Sequence, residues 1–285
     1  MSVLVYIVLC LIWGSTWLAI KIGLSSAPPL HAAALRFAIA VSILAIVTHI
    51  KKQKYPNNIR DFLRLGYPGL FMYGASYAGV YFGETFIDSS LAAILFGSFP
   101  FFVAILSEIG SRAEAIRARE WTGLIFGFLG VLVISYNSLQ ISEHLFFGTL
   151  LVVVASFCSA YGLVVHKRYF SRESILVSAT VQMSFGGLAI VLAALSFEDW
   201  SASILSPRSL ESILYLAVFG TVVAFLGYYW LLTHSRAVTV SYIAFVTPLV
   251  AILIGVLFYS ETLTALIMAG AAMILVGILL VVRRH

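Results

Sequence analysis

The sequence predicts an all-α membrane protein of ten transmembrane helices, built as two inverted five-helix repeats with both termini on the cytoplasmic side (N-in/C-in). Three observations predict it. The chain of 285 residues is 61% hydrophobic and only 10% charged, with a mean hydropathy of +1.04, whereas soluble domains are nearer half apolar and a quarter charged. Its apolar residues fall into ten continuous runs, each near the roughly 20 residues a helix needs to cross the hydrocarbon core. Its two halves also match in register at a nearly constant offset.

The runs can be taken in order. The first, near 3–24, starts almost at Met1 without a basic leader. No clear small-residue cleavage site precedes Ser25-Ser26-Ala27-Pro28-Pro29, so it reads as a retained span rather than a signal peptide. The second, near 30–50, stops at Lys51-Lys52-Gln53-Lys54. The third and fourth, near 63–84 and 89–108, are parted at Asp88-Ser89-Ser90. The fifth, near 119–137, follows Arg117-Ala118-Arg119-Glu120 and stops at Asn137-Ser138. The sixth and seventh, near 147–166 and 175–196, flank Ser171-Arg172-Glu173. The eighth, near 209–233, follows Ser206-Pro207-Arg208, and the ninth and tenth lie near 238–259 and 264–282. No gap could hold a soluble domain. The runs are continuous rather than alternating, which excludes a β-barrel.

Orientation follows from Lys and Arg, which collect on the cytoplasmic side of membrane proteins. With the N-terminus inside, 14 of the 17 basic residues fall in inside loops or at the tail. Lys21 and Arg208 fall outside, and Arg36 lies within the second span. The pI of about 9.2 and the net charge of +5 are therefore topology signals rather than a nucleic-acid footprint. The expected partner is the lipid bilayer, at the cell (inner/plasma) membrane, and no nucleic acid.

The repeat divides the chain into units 1–137 and 138–285. At an offset of 147, Glu114 meets Glu261, Gly123 meets Gly270 and Gly130 meets Gly277. At 148, Gly79 meets Gly227, Tyr81 meets Tyr229 and Pro100 meets Pro248. At 146, Lys21 meets Lys167 and Arg36 meets Gln182. An odd number of spans per unit makes the second enter the membrane upside down. Inverted repeats are a plan of secondary transporters, whose site lies near the midplane between repeats.

Polar and aromatic groups at that depth are the candidates. Arg36 either holds a substrate carboxylate, anchors a gate, or snorkels to the outer headgroups; its repeat mate Gln182 is neutral. Lys21 either snorkels or serves attraction or gating, against the positive-inside bias. Tyr73, Tyr77 and Tyr81 share one helical face, with Glu84 beyond them and Tyr228 and Tyr229 in the equivalent region. They read as a cavity wall or as an interfacial belt. Trp13, Ser15 and Trp17 in the first span, and Tyr161 in the sixth, complete the wall. Pro100 and Pro248 are expected as mid-span kinks or hinges that free carbonyls, such as that of Phe96. Ser98, Thr247 and Tyr242, polar neighbours of these prolines, are expected to face the cavity, as are Phe96 and Gln182. The glycines of the fifth and tenth spans read as packing faces, within a monomer or in a homodimer. Glu114 and Glu261 are expected as helix caps.

"IWGSTWLAIKIGL…PPLHAAALRFAIA" resembles the first two helices of EamA-type members of the drug/metabolite transporter superfamily. "SSLAAILFGSFPFFVAI" resembles the fourth helix, and "TVSYIAFVTPLVAILIGVLFYSETLTALIMAGAAMILVGI" the ninth and tenth. The resemblance spans nearly the whole chain as two tandem units. It implies a ten-helix inner-membrane carrier that exports amino acids or other small metabolites. The sixth-span stretch "SFCSAYGLVV" lacks the tryptophan of the family motif. The superfamily's small multidrug pumps carry a carboxylate in the first helix, and "CLIWGST" has none. That disfavours a cationic-drug antiporter, and the positive groups Lys21 and Arg36 fit anionic or zwitterionic small molecules better.

No cofactor or metal is expected. Cys10 and Cys158 lie singly inside apolar runs, without zinc or disulfide spacing. No Walker A sequence is present. No convergent catalytic group stands at a sensible depth, so the chain is not read as an enzyme. A membrane-embedded enzyme, and a channel or structural subunit, are the alternatives to a carrier by alternating access.

Overall fold

The computed structural model describes residues 2–87, 89–109, 115–134, 143–199, 206–250 and 265–282. Among them all regular structure is helical. Six helices are long and apolar enough to cross a membrane: Ser2–Gly23, Pro29–Ile50, Leu91–Glu108, Phe146–Tyr169, Ile175–Phe197 and Pro207–His234. The other expected spans are shorter or more polar. The third begins with Arg60, Asp61 and Arg64, the fifth has 17 helical residues, and the ninth and tenth contribute apolar helices Ala237–Val250 and Met268–Leu280. Glu114 and Glu261 lie outside the described residues.

In chain order the helices are α1 (Ser2–Gly23), α2 (Pro29–Ile50) and α3 (Ile59–Gly69). A π-helical turn, Leu70–Ala75, runs on into α4 (Ser76–Phe86). Then come α5 (Ser89–Phe96), α6 (Phe99–Glu108), α7 (Ala118–Ile134), α8 (Glu143–Tyr169) and α9 (Ile175–Phe197). In the second half, α10 (Pro207–Ala217) passes through a π-helical turn, Val218–Val223, into α11 (Ala224–His234). Next are α12 (Ala237–Ser241), α13 (243–250) and α14 (Ala265–Val282). The two π-helical turns lie 148 residues apart, at the offset seen in the sequence.

Helix starts follow local chemistry. Asn58 caps α3 by accepting from the Asp61 N–H at 2.7 Å, and Ser206 accepts from the Ser209 N–H at the start of α10. Glu120, in the first turn of α7, reaches back to the Arg117 N–H at 2.7 Å. The cap of α2 comes from another helix. Glu198, just past α9, accepts from Leu30 N–H at 2.8 Å and His31 N–H at 2.9 Å, where a carboxylate suits the helix dipole. At the opposite end, Ser174 before α9 donates to Gln53 after α2 at 2.6 Å. The paired helices α2 and α9 therefore run antiparallel and define two ends of the bundle, a Lys21 end and a Lys167 end.

Packing repeats as the sequence does. Helix α2 lies on α9 and α7 on α14, each pair joining corresponding spans of the two halves. A Cβ on Gly130 would meet the Gly270 carbonyl oxygen at 2.6 Å, and a Cβ on Gly277 the Gly123 carbonyl oxygen at 2.6 Å. The small-residue faces are thus consumed inside the chain. Without a hydrophobic drive between helices in lipid, this close backbone approach is what holds such a pair. Gly130→Leu and Gly277→Leu are each expected to cost at least about 1–3 kcal/mol. Thermal unfolding in detergent would show it as a lowered Tm. Gly23→Ala, whose Cβ meets only Ser212 Oγ at 3.6 Å, should leave the Tm unchanged.

Candidate functional site

A cavity of about 110 Å³, measured for the centres of water molecules, opens between α1, α2, the α3–α4 path, α5, α6, α8, α11 and the α12–α13 pair. Its wall is mainly aromatic. Trp13 meets Phe225 and Tyr228 edge-on with centroids 5.2 and 5.0 Å apart. Trp17 meets Phe96 at 5.7 Å. Tyr77 contributes a third face, edge-on to Phe37 at 4.9 Å. Hydroxyls of Thr16, Ser76, Ser159, Ser241 and Thr247 interrupt the apolar lining. Tyr228 lines the cavity too, and its hydroxyl has no partner among the described residues.

One charge lies in this wall. Arg36 is 1% exposed, so it does not snorkel. Its Nε donates to Thr221 Oγ1 at 2.8 Å, its Nη2 to the Gly220 carbonyl at 3.2 Å and its Nη1 to Tyr81 OH at 3.3 Å. The Tyr77 ring lies 4.8 Å from the guanidinium carbon, within cation–π range. Two of these acceptors belong to the π-helical turn Val218–Val223. Trp13 Nε1 donates to the same Gly220 carbonyl at 3.2 Å. Position 220 suits glycine, since a Cβ would stand 3.3 Å from Arg36 Nη2 and 3.0 Å from Thr16. Every acceptor is neutral, and no described carboxylate lies within ion-pair distance of Arg36.

Toward the Lys167 end the corresponding positions form a neutral version. Gln182 replaces Arg36, Tyr229 replaces Tyr81, and Tyr73 of the first π-helical turn replaces Thr221. Tyr229 OH donates to Gln182 Oε1 at 2.6 Å and pairs with Tyr73 OH at 2.8 Å. Gln182 Nε2 pairs with His166 Nδ1 at 3.0 Å, and the His166 ring lies on Tyr229 with centroids 4.3 Å apart. All four side chains are buried.

The model of the EamA-like transporter family matches residues 1–136 and again 146–283. The chain belongs to the EamA-like transporter family. An "uncharacterized transporter" of Archaeoglobus fulgidus is 30% identical over 96% of this chain and 95% of its own length. The "uncharacterized inner membrane transporter YedA" of Escherichia coli is 28% identical over 96% of this chain and 88% of its own. A crystal structure covering 99% of this chain and 96% of its own superposes with a TM-score of 0.80 at 15% identity, a likeness of fold alone. With these relatives and its apolar helices, the EamA chain is a multi-pass membrane protein of a transporter family.

Within this EamA chain, the residues singled out in the sequence divide into three groups. Trp13, Trp17, Arg36, Tyr77, Phe96 and Tyr228 line the cavity. Tyr73, Tyr81, Gln182 and Tyr229 form the two hydrogen-bonded clusters beside it. The rest are turned to other partners. Ser15 bonds Tyr215 OH at 2.6 Å, and Tyr161 packs edge-on to Phe71 at 4.8 Å. Ser98 donates to Ser156 at 3.0 Å, and Tyr242 to the Glu120 carbonyl at 3.0 Å.

Pro100 is the second residue of α6 and follows, within one turn, the break at Gly97 and Ser98 that interrupts the run Leu91–Glu108, the place where a proline disturbs a helix. Pro248 lies inside α13, with Thr247 Oγ1 donating to the Ala244 carbonyl that the proline frees, at 3.2 Å. A second break falls at Tyr242, between α12 and α13. The two lysines prove alike. Lys21 Nζ donates to the Glu84 carbonyl at 3.3 Å, and Lys167 Nζ to the carbonyls of Leu232 and Ser235. Each ties the first helix of its repeat to the end of the third, where a cation suits the helix dipole. Glu84 stands next to the cavity residue Val80 by one turn but does not line the wall.

The tyrosine pair gives a direct test. Tyr229→Phe leaves Gln182 and Tyr73 without their shared partner and is expected to destabilise by about 1–3 kcal/mol. Tyr228→Phe removes a hydroxyl that has no partner and should leave the melting temperature unchanged. Equal shifts for the two, in thermal unfolding, would contradict the network.

Proposed function

We propose that this chain is a secondary carrier of small anionic or zwitterionic metabolites, such as amino acids. It would work by alternating access through ten spans in two inverted repeats. The Lys21 end would face outward, and the basic Lys167 end the cytoplasm. The cavity, with Arg36 in its wall, would be the solute site.

Arg36 carries the reading. A buried guanidinium with only neutral acceptors is costly to maintain unless something anionic visits it. Thr221, Gly220 and Tyr81 take three of its five N–H donors and the Tyr77 hydroxyl lies by the same guanidinium, which leaves at least one donor for that visitor. The aromatic walls of Trp13, Trp17 and Tyr77 would cover an apolar side chain, and the Tyr228 hydroxyl offers a further polar contact. Such a mixture of a few placed polar groups in an apolar wall is the ordinary make-up of a small-molecule site. Export rather than uptake is the direction the family resemblance suggests.

Proteoliposome flux with a panel of radiolabelled amino acids and short carboxylates tests this. At least one solute is expected to exchange. Arg36→Gln is expected to weaken its binding roughly ten- to hundred-fold, the equivalent of a charge-assisted hydrogen bond. Tyr77→Ala should weaken binding as well, with folding of both variants checked by thermal unfolding. Flux absent for every solute from folded protein would remove the carrier reading. Unchanged binding in both variants would remove these residues from the site.

A further inference from the structure

Glu84 lies near the end of α4, is 1% exposed, and neither of its carboxylate oxygens has a hydrogen-bond partner among the described residues. Lys21 reaches its main-chain oxygen instead. The second repeat shows that this main-chain contact needs no carboxylate. There Lys167 holds the Leu232 carbonyl, and Leu232 stands to Glu84 at the same offset as Tyr229 to Tyr81. The backbone of residue 84 thus has a structural role common to both halves, and the carboxyl is an addition found in one. A carboxyl buried without donors is costly in its ionised form, and ionisable groups at this depth are functional candidates.

Among the described residues two charges act on it. From α1 it faces Lys21, and from α2 Arg36. On its own helix Tyr81, one turn back, is the acceptor of Arg36 Nη1. His31, at the start of α2, faces Glu198 instead. Of helix α8, Gly148, Leu151 and Val152 lie nearest the adjoining Gly83, and α5 carries no charged residue.

We infer that Glu84 is a proton-exchange site coupled to anion occupancy of the Arg36 cavity. The inference rests on the anion-carrier reading above. The step is the gain of one proton by the Glu84 carboxylate, with no other bond made or broken. An anionic group on Arg36 and a negative charge on Glu84 compete for the same cation. Docking of the anion therefore favours the protonated carboxyl, and by reciprocity the protonated carboxyl favours docking. Proton and anion bind together and cross in the same direction, so export would run on the solute's own gradient and carry the proton out with it. A neutral residue at this place would keep the site but lose the coupling.

Two measurements on the full chain in liposomes test this. Infrared difference spectroscopy, with no solute added, reads the protonated-carboxyl band. That band is expected to change with pH in wild type and to be missing from Glu84→Gln. At fixed pH it should be stronger in Arg36→Gln than in wild type. Identical spectra for wild type and Glu84→Gln at every pH overturn the inference, as does an unchanged band in Arg36→Gln. The second measurement uses the labelled panel and stands even if Arg36→Gln does not fold. Glu84→Gln is expected to keep solute counterflow without a pH gradient and to lose accumulation driven by one. Accumulation equal to wild type overturns the coupling and leaves the carrier reading standing. Counterflow absent for every solute in folded wild type overturns both.

Discussion

Burial of the Arg36 guanidinium is the constraint around which the centre of the bundle is arranged. In hydrocarbon an unsatisfied charge costs several kcal/mol, and a helical neighbour has no spare main-chain acceptors to offer. The π-helical turn Val218–Val223 meets that need. It presents the Gly220 carbonyl and the Thr221 hydroxyl on one face, and both accept from Arg36. Thr221 in turn donates to the Leu216 carbonyl five residues back, at 2.9 Å, so the turn is closed by a side chain. Glycine at 220 then follows, because a side chain there would press on Arg36. Trp13 is fixed by the same carbonyl, which sets the plane of one cavity wall.

The second repeat holds the same scaffold with different chemistry. Its π-helical turn, its tyrosine one turn into the following helix and its polar residue on the second helix all recur. Yet Gln182 and Tyr229 need no charge compensation, and Tyr73 fills the space where Thr221 bonds Arg36 in the other half. One cluster is cationic and opens on the cavity; the other is neutral, closed and packed on His166. Two repeats of one design thus differ where solute selectivity would be decided, while their helix-end lysines and glycine contacts stay matched. On the carrier reading, this separates what both halves share, a rocking frame, from what one half alone contributes.

Much of this was legible in the sequence. Apolar runs predicted helices because lipid admits no other open backbone, and the small-residue faces of the fifth and tenth spans pointed to packing, which the fold makes between Gly130 and Gly270 and between Gly277 and Gly123. Arg36, Trp13, Trp17 and Tyr77 stood out because polar and aromatic groups at depth need a reason. The rest depended on the direction of a side chain, which spacing does not give. Ser15 sits between two cavity tryptophans yet turns to Tyr215. Cavity residues such as Phe225, Ser76 and Ser159 are ordinary membrane-helix residues and gave no signal. The π-helical turns carry no Pro, and their sequences LFMYGA and VFGTVV share only a Phe and a Gly. The break at Gly97 and Ser98 falls within the turn before Pro100, where a proline disturbs a helix, whereas the break at Tyr242 lies farther from Pro248 and had no such signal.

Irregular backbone is distributed unevenly, and its distribution bears on how the molecule could move. The π-helical turns at Leu70–Ala75 and Val218–Val223, the break at Gly97 and Ser98, and the break at Tyr242 all lie in helices that border the cavity. Non-helical backbone at membrane depth is tolerated where protein or a polar cavity satisfies it, and such sites are common near function. By contrast α7 and α14 are unbroken over their described lengths and contribute no side chain to the cavity wall. Their glycine contacts allow little relative sliding, since each backbone lies in the groove of the other. A change of access would then be absorbed at the four irregular points, with α7 and α14 as the fixed brace. The cost of bending falls where side chains such as Thr221, Thr247 and Ser98 already stand ready to accept or donate the displaced hydrogen bonds.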